Sequence, residues 1–248
     1  VTASGESVTL SRDVDADAFC GAVVGLGCVG IVTHLRLDTV PAFDIAQYVY
    51  DDLPAEQLTD DFEILFSSAY SVSVFTDWRG PNSNQVWLKQ RTDAANGWEP
   101  EPHWRGATLA DGGNELQSEY LLPRQAAADA ISALYSLGED IARVLQISEI
   151  RTVARDDLWM SPSYQRDCVA LHFTWIANSR AVAPVVEAIE SQLEPFGAKP
   201  HWGKVFSTKP QQVAALYERS SDFQQLLVRF DPTGKFRNDF VDTYLSGQ

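Results

Sequence analysis

Cysteine, methionine and histidine are scarce in this sequence of 248 residues. The cysteines, Cys20, Cys28 and Cys168, are odd in number and widely spaced, so the sequence indicates neither a disulfide framework nor a metal site. No apolar run approaches the ~20 residues that a membrane span needs, and the N-terminus lacks the basic and then apolar order of a secretion signal. We therefore expect a soluble protein of a reducing compartment, the cytoplasm, with no membrane partner.

Basic residues are also in short supply, because 19 Lys and Arg stand against 34 Asp and Glu and the formal net charge is −15. Such a charge repels phosphate backbones, so we expect no nucleic-acid partner. What is present is a globular composition, with 45% hydrophobic residues and a length that suits one large or two small domains. The chain opens at Val1 and has a single methionine, Met160, which suggests a piece of a longer protein.

Periodicity along the chain indicates a mixed fold. Alternation of apolar and polar residues predicts strands at 7–10, 31–40, 43–50, 71–77, 85–91, 144–153 and 167–178. Helices are predicted from Asp13 or Asp15 to Val24, and at 54–66, 124–145, 181–193 with Ser179 as cap, 211–218 and 221–230. We expect loop or irregular strand at 96–122 and a loop at 194–206. The fold class is α+β, with a large, mainly antiparallel sheet flanked by helices.

Two predicted strands place reactive side chains at i and i+2. Glu149 and Arg151 share a face with Leu145, Ile147 and Val153, and charges on an apolar face are costly unless they pair with each other or with a ligand. An ordinary ion pair at the surface explains them equally well.

On the later strand, His172 and Thr174 share a face with Ala170 and Ile176, and Leu171, Phe173 and Trp175 take the other face. A satisfied pair of polar residues in the core is the alternative to a catalytic role.

The loop 197–204 brings a cation, an imidazole and an indole close together on a backbone restricted by proline and flanked by glycine. A simple connection whose tryptophan packs in the core would look the same. Together, the two strands and this loop supply a carboxylate, three cations, a hydroxyl and an aromatic plane, which suits a polyhydroxylated and uncharged ligand.

The glycine-rich stretch 25–30 superficially fits a dinucleotide-binding pattern. The Rossmann motif lies between a strand and the helix that follows it, whereas here the glycines precede a predicted strand, so the context does not match. Close approach of the backbone to another ligand stays open.

Three motifs carry a resemblance to a known family. They are Ile147-Ser148-Glu149-Ile150-Arg151-Thr152, Leu171-His172-Phe173-Thr174-Trp175 and Lys199-Pro200-His201-Trp202-Gly203-Lys204. In order and spacing they resemble the substrate side of the sugar-alcohol oxidases, which oxidise alditols such as xylitol and sorbitol, and of the related aldonolactone oxidases. These are FAD-dependent flavoproteins of the vanillyl-alcohol-oxidase fold. The resemblance covers essentially the whole chain.

The resemblance implies a role for each matched residue. Glu149 and Arg151 would hold substrate hydroxyls, with Arg151 also stabilising the reduced flavin, and Thr174 and Lys204 would bind the terminal hydroxyls. His172 would act as base or relay for the C1 hydroxyl proton. His172, Lys204 and Arg151 are thus the expected catalytic residues.

For the cofactor, the same resemblance implies that His201 contacts the isoalloxazine of FAD. It also implies that Gly27, Gly30, Ile31 and Val32 belong to the flavin-binding domain. Hydride would pass from C1 of the polyol to the flavin, and O2 would reoxidise the flavin to give hydrogen peroxide.

Family members carry a flavin-binding half that this chain lacks, so we expect that half to come from the same precursor or from a second chain. The implied layout is the end of the FAD-binding domain at 1–41, a substrate-binding domain at 42–206 and C-terminal helices at 207–248. We expect the chain alone to be inactive. The alternatives are an aldonolactone oxidase or dehydrogenase and a carbohydrate-binding domain without catalysis.

Overall fold

The structure is a computed structural model that describes residues 1–92, the backbone of Glu101 and Pro102, and residues 114–245. It divides into two compact units. The helical unit comprises Val1–Asp38, Ala154–Arg166 and Thr208–Gln248, and the sheet unit comprises Thr39–Val153 and Asp167–Ser207. The division at 41 and 206 that the family resemblance implies stays a prediction.

The sheet unit is built on a single sheet of eight strands, in the order β4-β1-β3-β2-β6-β7-β5-β8. Every pair of neighbouring strands is antiparallel. The strands are β1 (Asp44–Pro54), β2 (Ser71–Thr76), β3 (Asn82–Thr92), β4 (Glu101–Pro102), β5 (Glu115–Pro123), β6 (Leu145–Val153), β7 (Cys168–Ile176) and β8 (Lys199–Pro200). The predicted α+β fold with a large antiparallel sheet is confirmed.

Nine α-helices occur in the described parts of the chain. The sheet unit holds α2 (Ala55–Asp60), α3 (Phe62–Phe66), α4 (Ala127–Tyr135), α5 (Gly138–Ala142) and α6 (Ser179–Leu193), with 3-10 turns at Arg124–Ala126 and Glu194–Phe196. The helical unit holds α1 (Ala16–Val23), α7 (Pro210–Ala215), α8 (Ser220–Phe230) and α9 (Asp239–Tyr244). The sequence prediction missed α9.

The hydrophobic core lies between one face of the sheet and the helices α2 to α6. Leu171, Phe173 and Trp175 of β7 point into it, as the alternation of β7 predicts, and the Phe173 and Trp175 rings stack at 5.0 Å. From α6, a stripe at helical spacing meets them, formed by Val182, Val186, Ile189 and Leu193. The opposite face of the sheet carries the polar residues His172 and Thr174 of β7 and a small apolar cluster, Leu121, Cys168 and Ala170.

Two predicted strands are wrong. Residues 7–10 and 31–40 form no strand, and every residue of 31–40 is exposed. A strand needs a neighbour to accept and donate its backbone hydrogen bonds, and alternation alone does not supply one. The amphipathic pattern of 31–40 is real, but no strand pairs with it among the residues that the structure describes.

One segment is more regular than predicted. Residues 115–123 form the strand β5, which pairs with β7 along its whole length. The strand was not predicted because its apolar alternation is interrupted. β5 buries residues of both faces, including the polar Ser118 and Glu119. Apart from the two residues of β4, the earlier part of the predicted irregular region, 96–113, lies outside the described residues.

Two predicted helices are broken into shorter pieces. The helix predicted at 54–66 is interrupted at Asp61, and the one predicted at 124–145 turns between α4 and α5. At the start of α5, a Cβ on Gly138 would lie 2.2 Å from the carbonyl oxygen of Trp78, so this close approach requires glycine. Contacts of this kind across the fold are not visible in the local periodicity.

Helix caps follow short-range rules. Asp15 accepts a hydrogen bond from the Ala18 N–H at 3.2 Å, so of the two predicted caps Asp15 is the one used. For α6 the predicted cap is wrong: Asn178 accepts from the Ala181 N–H at 3.2 Å, and Ser179 is the first helical residue. Asparagine is a strong cap by the same mechanism.

A bulge near the start of β6 corrects the predicted face of Leu145. The register against β7 shifts between Leu145 and Ile147, and Leu145 packs against the hydrophobic core, whereas Ile147 is 44% exposed. A bulge adds one residue to a strand and shifts its alternation by one. Two residues at two-residue spacing on either side of the bulge therefore lie on opposite faces. Leu145 therefore does not share a face with Glu149.

Candidate active site on the sheet

Three neighbouring strands place polar side chains on the sheet face opposite the helices, which we call the site face. In the register of β6, β7 and β5, Glu149 lies opposite His172, and His172 lies opposite Glu119. Arg151 and Thr174 follow at two-residue spacing on their own strands, so they share this face. The sheet thus brings together the four predicted strand residues and one residue that the sequence analysis missed, Glu119.

Glu119 is the centre of the cluster. Its Oε1 accepts a hydrogen bond from Arg151 Nη2 at 2.7 Å, and its Oε2 accepts one from Lys204 Nζ at 2.5 Å. The side chain is only 8% exposed, against 41% for Arg151. Glu149 Oε2 lies 3.6 Å from Arg151 Nε, so one guanidinium stands between two carboxylates.

The surroundings of Glu119 keep it ionised. Burial by itself raises the pKa of this carboxyl, but the hydrogen bond from Lys204 and the positive charges of Lys204 and Arg151 outweigh burial. The pKa of Glu119 consequently lies well below its ordinary value. A permanent carboxylate here balances part of the positive charge of the two basic side chains.

A chain of hydrogen bonds runs from Lys204 through the imidazole. Lys204 Nζ lies 2.9 Å from His172 Nδ1, and His172 Nε2 lies 3.2 Å from Thr174 Oγ1. Thr174 is buried, and the side chains of His172 and Lys204 are 13% and 17% exposed. Two predicted residues of one strand and one from a distant loop thus form a single network.

The loop carrying Lys204 is docked along β5 by backbone hydrogen bonds. The His201 N–H donates to the Glu119 carbonyl at 2.9 Å, and the Val205 N–H donates to the Gln117 carbonyl at 2.8 Å. Between these two attachments, the Lys204 N–H donates to the His201 carbonyl at 3.1 Å and closes a turn. The same strand therefore positions the backbone of the loop and, through Glu119, the ammonium group of Lys204.

His201, the predicted flavin contact, is an exposed residue beside this network. Its Nδ1 accepts a hydrogen bond from the Gly203 N–H at 3.1 Å, which fixes the ring. Loss of hydration around the ring lowers the pKa of His201 even though the Glu119 carboxylate raises it, and Lys204 and His172 add to the lowering. An immobilised, neutral and accessible imidazole is suited to contact a planar ligand.

The predicted cofactor residues of the glycine-rich stretch lie in the helical unit. Gly27 has a φ of +78° and open space where a Cβ would stand, whereas a Cβ on Gly30 would lie 2.8 Å from the Val1 carbonyl oxygen. The Ile31 N–H donates to that same carbonyl at 3.0 Å, and the Ile31 and Val32 side chains are largely exposed. A role of these four residues in flavin binding stays a prediction.

A signal for Glu119 was present in the sequence. Glu115, Gln117 and Glu119 stand at two-residue spacing, which is also the spacing of the Glu149–Arg151 and His172–Thr174 pairs. The weak apolar alternation of this segment led to an assignment as loop or irregular strand. The two-residue spacing of these polar residues indicates that they share one face of a strand.

The site face has features that fit a flavin. Arg151 Nε is buried and has no hydrogen-bond partner within the described part of the chain, although its charge is held in place by Glu119 and Glu149. A fixed cation suits a ring that gains negative charge on reduction. Arg151 and His201 are the side chains of the sheet unit that would contact it.

A match to a family profile shows the family of the chain. The profile described as D-arabinono-1,4-lactone oxidase matches residues 113–244, which include β5, β6, β7 and the Lys204 loop. The chain belongs to the D-arabinono-1,4-lactone oxidase family. All the residues of the Glu119 network lie inside the matched segment.

Comparisons with individual proteins are consistent with this family and its fold. The chain is 42% identical to the alditol oxidase of a Streptomyces species over 100% of its own length and 66% of the relative's length. Among solved structures, a solvent-stable cholesterol oxidase superposes with a TM-score of 0.71 at 11% identity, covering 95% of this chain and 65% of the other. A VAO-type flavoprotein from Myceliophthora thermophila gives 0.65 at 12% identity, with 94% and 54% covered. The fold is that of VAO-type flavoproteins, as the resemblance implied.

The described residues form no candidate membrane span and no candidate metal site. None of their helices is both long and apolar enough to cross a bilayer. Nor do their His, Cys, Asp and Glu side chains form a group of three or more that could bind a metal ion.

Proposed function

We propose that this chain supplies the substrate-binding part of an FAD-dependent oxidase, located in the cytoplasm, that acts on sugar alcohols such as xylitol and sorbitol. The proposed reaction oxidises the C1 hydroxyl to an aldehyde and reduces O2 to hydrogen peroxide. The observation that carries the proposal is the hydrogen-bonded network of Glu119, Lys204, His172 and Thr174 beside the Glu149–Arg151 pair.

The charges of the site favour an uncharged ligand. Two carboxylates, Glu119 and Glu149, offset the charges of the two basic side chains, Arg151 and Lys204. The site therefore has no net charge that would favour an ionic substrate. Each hydroxyl of a polyol both donates and accepts a hydrogen bond, and the site offers both kinds of partner. Glu149 accepts, Arg151 and Lys204 donate, and the Thr174 hydroxyl can do either. A linear polyol satisfies such a row of groups better than an apolar alcohol does.

The contact between Lys204 and His172 is the place for the reacting hydroxyl. A hydroxyl inserted there accepts a hydrogen bond from Lys204 Nζ and donates one to His172 Nδ1. His172 Nδ1 then takes the hydroxyl proton, and the Lys204 ammonium stabilises the negative charge left on the oxygen. Thr174 holds the far side of the imidazole through its contact with Nε2.

A bound flavin would supply the acceptor for the hydride that leaves C1. Arg151 is placed by Glu119 and Glu149 on the same face, where its guanidinium stabilises negative charge that develops in the reaction. The ring of His201, held by the Gly203 N–H, provides a flat contact. The chain's own contribution is to bind, to orient and to hold a proton at His172 Nδ1.

A second candidate is oxidation of an aldonolactone, because the family description names a lactone substrate. The same Glu149–Arg151 pair could hold the ring hydroxyls of a lactone. A dehydrogenase that uses another electron acceptor in place of O2 belongs with this candidate. The third candidate is carbohydrate binding without catalysis.

A substrate panel tests the proposal. Calorimetric titration of the purified protein with xylitol, sorbitol and L-gulono-1,4-lactone measures binding. A peroxide assay measures turnover, and it uses the flavin-containing preparation, in which the flavin-binding half is present. We expect binding and turnover of the polyols, and loss of both in Lys204→Ala and Arg151→Ala. Activity on the lactone with none on polyols would establish the second candidate. Polyol binding that both variants retain, without turnover, would establish the third.

A further inference from the structure

Glu119 cannot serve as a substrate ligand in the way that Glu149 can. Its side chain is 8% exposed, and its two oxygens already accept hydrogen bonds from Arg151 and Lys204. Burying a carboxylate is costly, and here it is offset by two cationic partners at 2.7 Å and 2.5 Å. A buried anion that contacts both basic residues of the site acts through them.

The position of Lys204 determines which nitrogen of His172 carries the proton. A lysine ammonium has three donors and no acceptor, so at 2.9 Å from Lys204 Nζ the His172 Nδ1 must accept. Glu119 Oε2 is 3.7 Å from Nδ1, too far to accept a hydrogen bond from an Nδ1–H in its place. The ring proton of neutral His172 therefore sits on Nε2, where it is donated to Thr174 Oγ1 at 3.2 Å.

We propose that Glu119 is a positioning residue: it holds the Lys204 ammonium against His172 Nδ1 and thereby keeps the imidazole in its Nε2–H tautomer. This inference rests on the proposed function for its catalytic meaning, although the tautomer can be observed without any reaction. In that tautomer the basic lone pair of His172 points to the contact where the substrate hydroxyl is proposed to bind. With the proton on Nδ1, the imidazole would have no lone pair to offer there.

Several charged or titratable groups face this imidazole. On β5 there is Glu119, on β6 there are Glu149 and Arg151, and from the docked loop come Lys204 and His201. Of these, the described contacts place only Lys204 Nζ within hydrogen-bond distance of Nδ1. Removing the Glu119 charge therefore releases the one group that selects the tautomer.

The tautomer can be read directly by NMR. The chain has four histidines, so long-range 1H–15N spectra of the protein labelled with 15N-histidine contain few signals. A His172→Gln variant assigns the His172 signals by their loss. We expect the 15N shifts of the neutral His172 imidazole in the native protein to be those of a single Nε2–H tautomer. An Nδ1–H tautomer in the native protein would overturn the proposal without any need for a Glu119 variant.

Variants of Glu119 then test its part. Glu119→Gln keeps the shape and removes the charge, and we expect the His172 shifts to move to those of a tautomer mixture; Glu119→Asp, which keeps the charge, should restore the native pattern in part. Glu63→Gln is the matched control, because Glu63 also pairs with an arginine, Arg124, but is 62% exposed. Native His172 shifts in folded Glu119→Gln would refute the proposal.

Kinetics of the flavin-containing protein separate this inference from the proposed function. We expect Glu119→Gln to lower kcat by at least ten-fold with a smaller change in KM, and Glu119→Asp to recover part of the loss. Equal effects on kcat and on polyol binding would refute positioning of the base. A native protein that shows the Nε2–H tautomer and loses it in Glu119→Gln, yet neither binds nor oxidises polyols, would refute the proposed function and support the structural role of Glu119.

Discussion

Lys204 meets a carboxylate on one side and an imidazole on the other, so its charge serves two partners at once. Lys204→Met keeps most of the aliphatic stem and removes that charge. Since loss of one charge-stabilising donor typically costs about 3 kcal/mol of transition-state stabilisation, we expect kcat/KM for the preferred polyol to fall by a factor on the order of 100 or more. Steady-state kinetics measure the change.

The control for Lys204 lies on the same sheet. Lys89 of β3 points to the site face two strands away from β6, so Lys89→Met removes a lysine charge without touching the network. We expect kcat/KM of Lys89→Met to stay near the native value. A comparable loss in both variants would show that the effect is one of overall charge and not of position.

Thr174 is the acceptor of the His172 Nε2–H, and it is buried. Thr174→Val preserves the shape and removes the oxygen, which leaves a buried donor without a partner. That costs about 1–3 kcal/mol, and we expect the free energy of unfolding in urea to fall accordingly. Thr174→Ser retains the hydroxyl and should lose clearly less stability than Thr174→Val. Equal stability of the two variants would argue that the contact with His172 contributes nothing.

Helix α6 connects the hydrophobic core to β5, the strand that carries Glu119. Glu190 of α6 accepts a hydrogen bond from the Tyr120 hydroxyl at 2.8 Å, and Tyr120 is the neighbour of Glu119 on β5. The same carboxylate accepts hydrogen bonds from the backbone N–H and hydroxyl of Ser207, at 2.9 Å and 2.5 Å, just after the Lys204 loop. One helix thus anchors both the strand and the loop that form the network.

The cap of α6 offers a test at its first turn. Asn178→Ala removes the side-chain acceptor of the Ala181 N–H, and we expect a loss of about 1 kcal/mol in the free energy of unfolding. Asn178→Asp keeps an acceptor and should be close to the native protein. Chemical denaturation of the three proteins gives the comparison. A native stability for Asn178→Ala would mean that water replaces the cap at no cost.

The dependence of stability on pH is a property of the whole molecule. Its formal charge is −15, and the pKa of its buried carboxyl, Glu119, is lowered. A carboxyl whose pKa is lower in the folded state stabilises the fold above its unfolded pKa, ordinarily 4.5, and the stabilisation is lost as pH falls below that value. We expect Tm to decline below about pH 4.5, and the decline to be shallower in Glu119→Gln.

The exposed Glu63 provides the comparison for that experiment. Glu63→Gln removes an acidic group that pairs with Arg124 at the surface, where an ion pair contributes little. Its Tm should follow the native dependence on pH. If Glu119→Gln followed it too, the buried carboxylate would not be the source of the acid sensitivity.

Local sequence patterns were enough for much of the site. The two-residue spacing of Glu149 and Arg151, and of His172 and Thr174, correctly predicted strands that present each pair on one face. The loop 197–204 carries Lys204, which contacts Glu119 and His172 in the structure. The strand spacings depend on neighbours a few residues apart, which is the range over which periodicity is reliable.

Only the tertiary structure decided the rest. Glu119 meets Lys204 across 85 residues of sequence and Arg151 across 32, and these contacts exist because antiparallel pairing brings β5, β6 and β7 into register. The amphipathic stretch 31–40 shows the converse, since its alternation predicted a strand that no described neighbour completes. A side-chain pattern sets which residues share a face, but hydrogen bonding between strands, and hence the Glu119 network, depends on partners that local sequence does not specify.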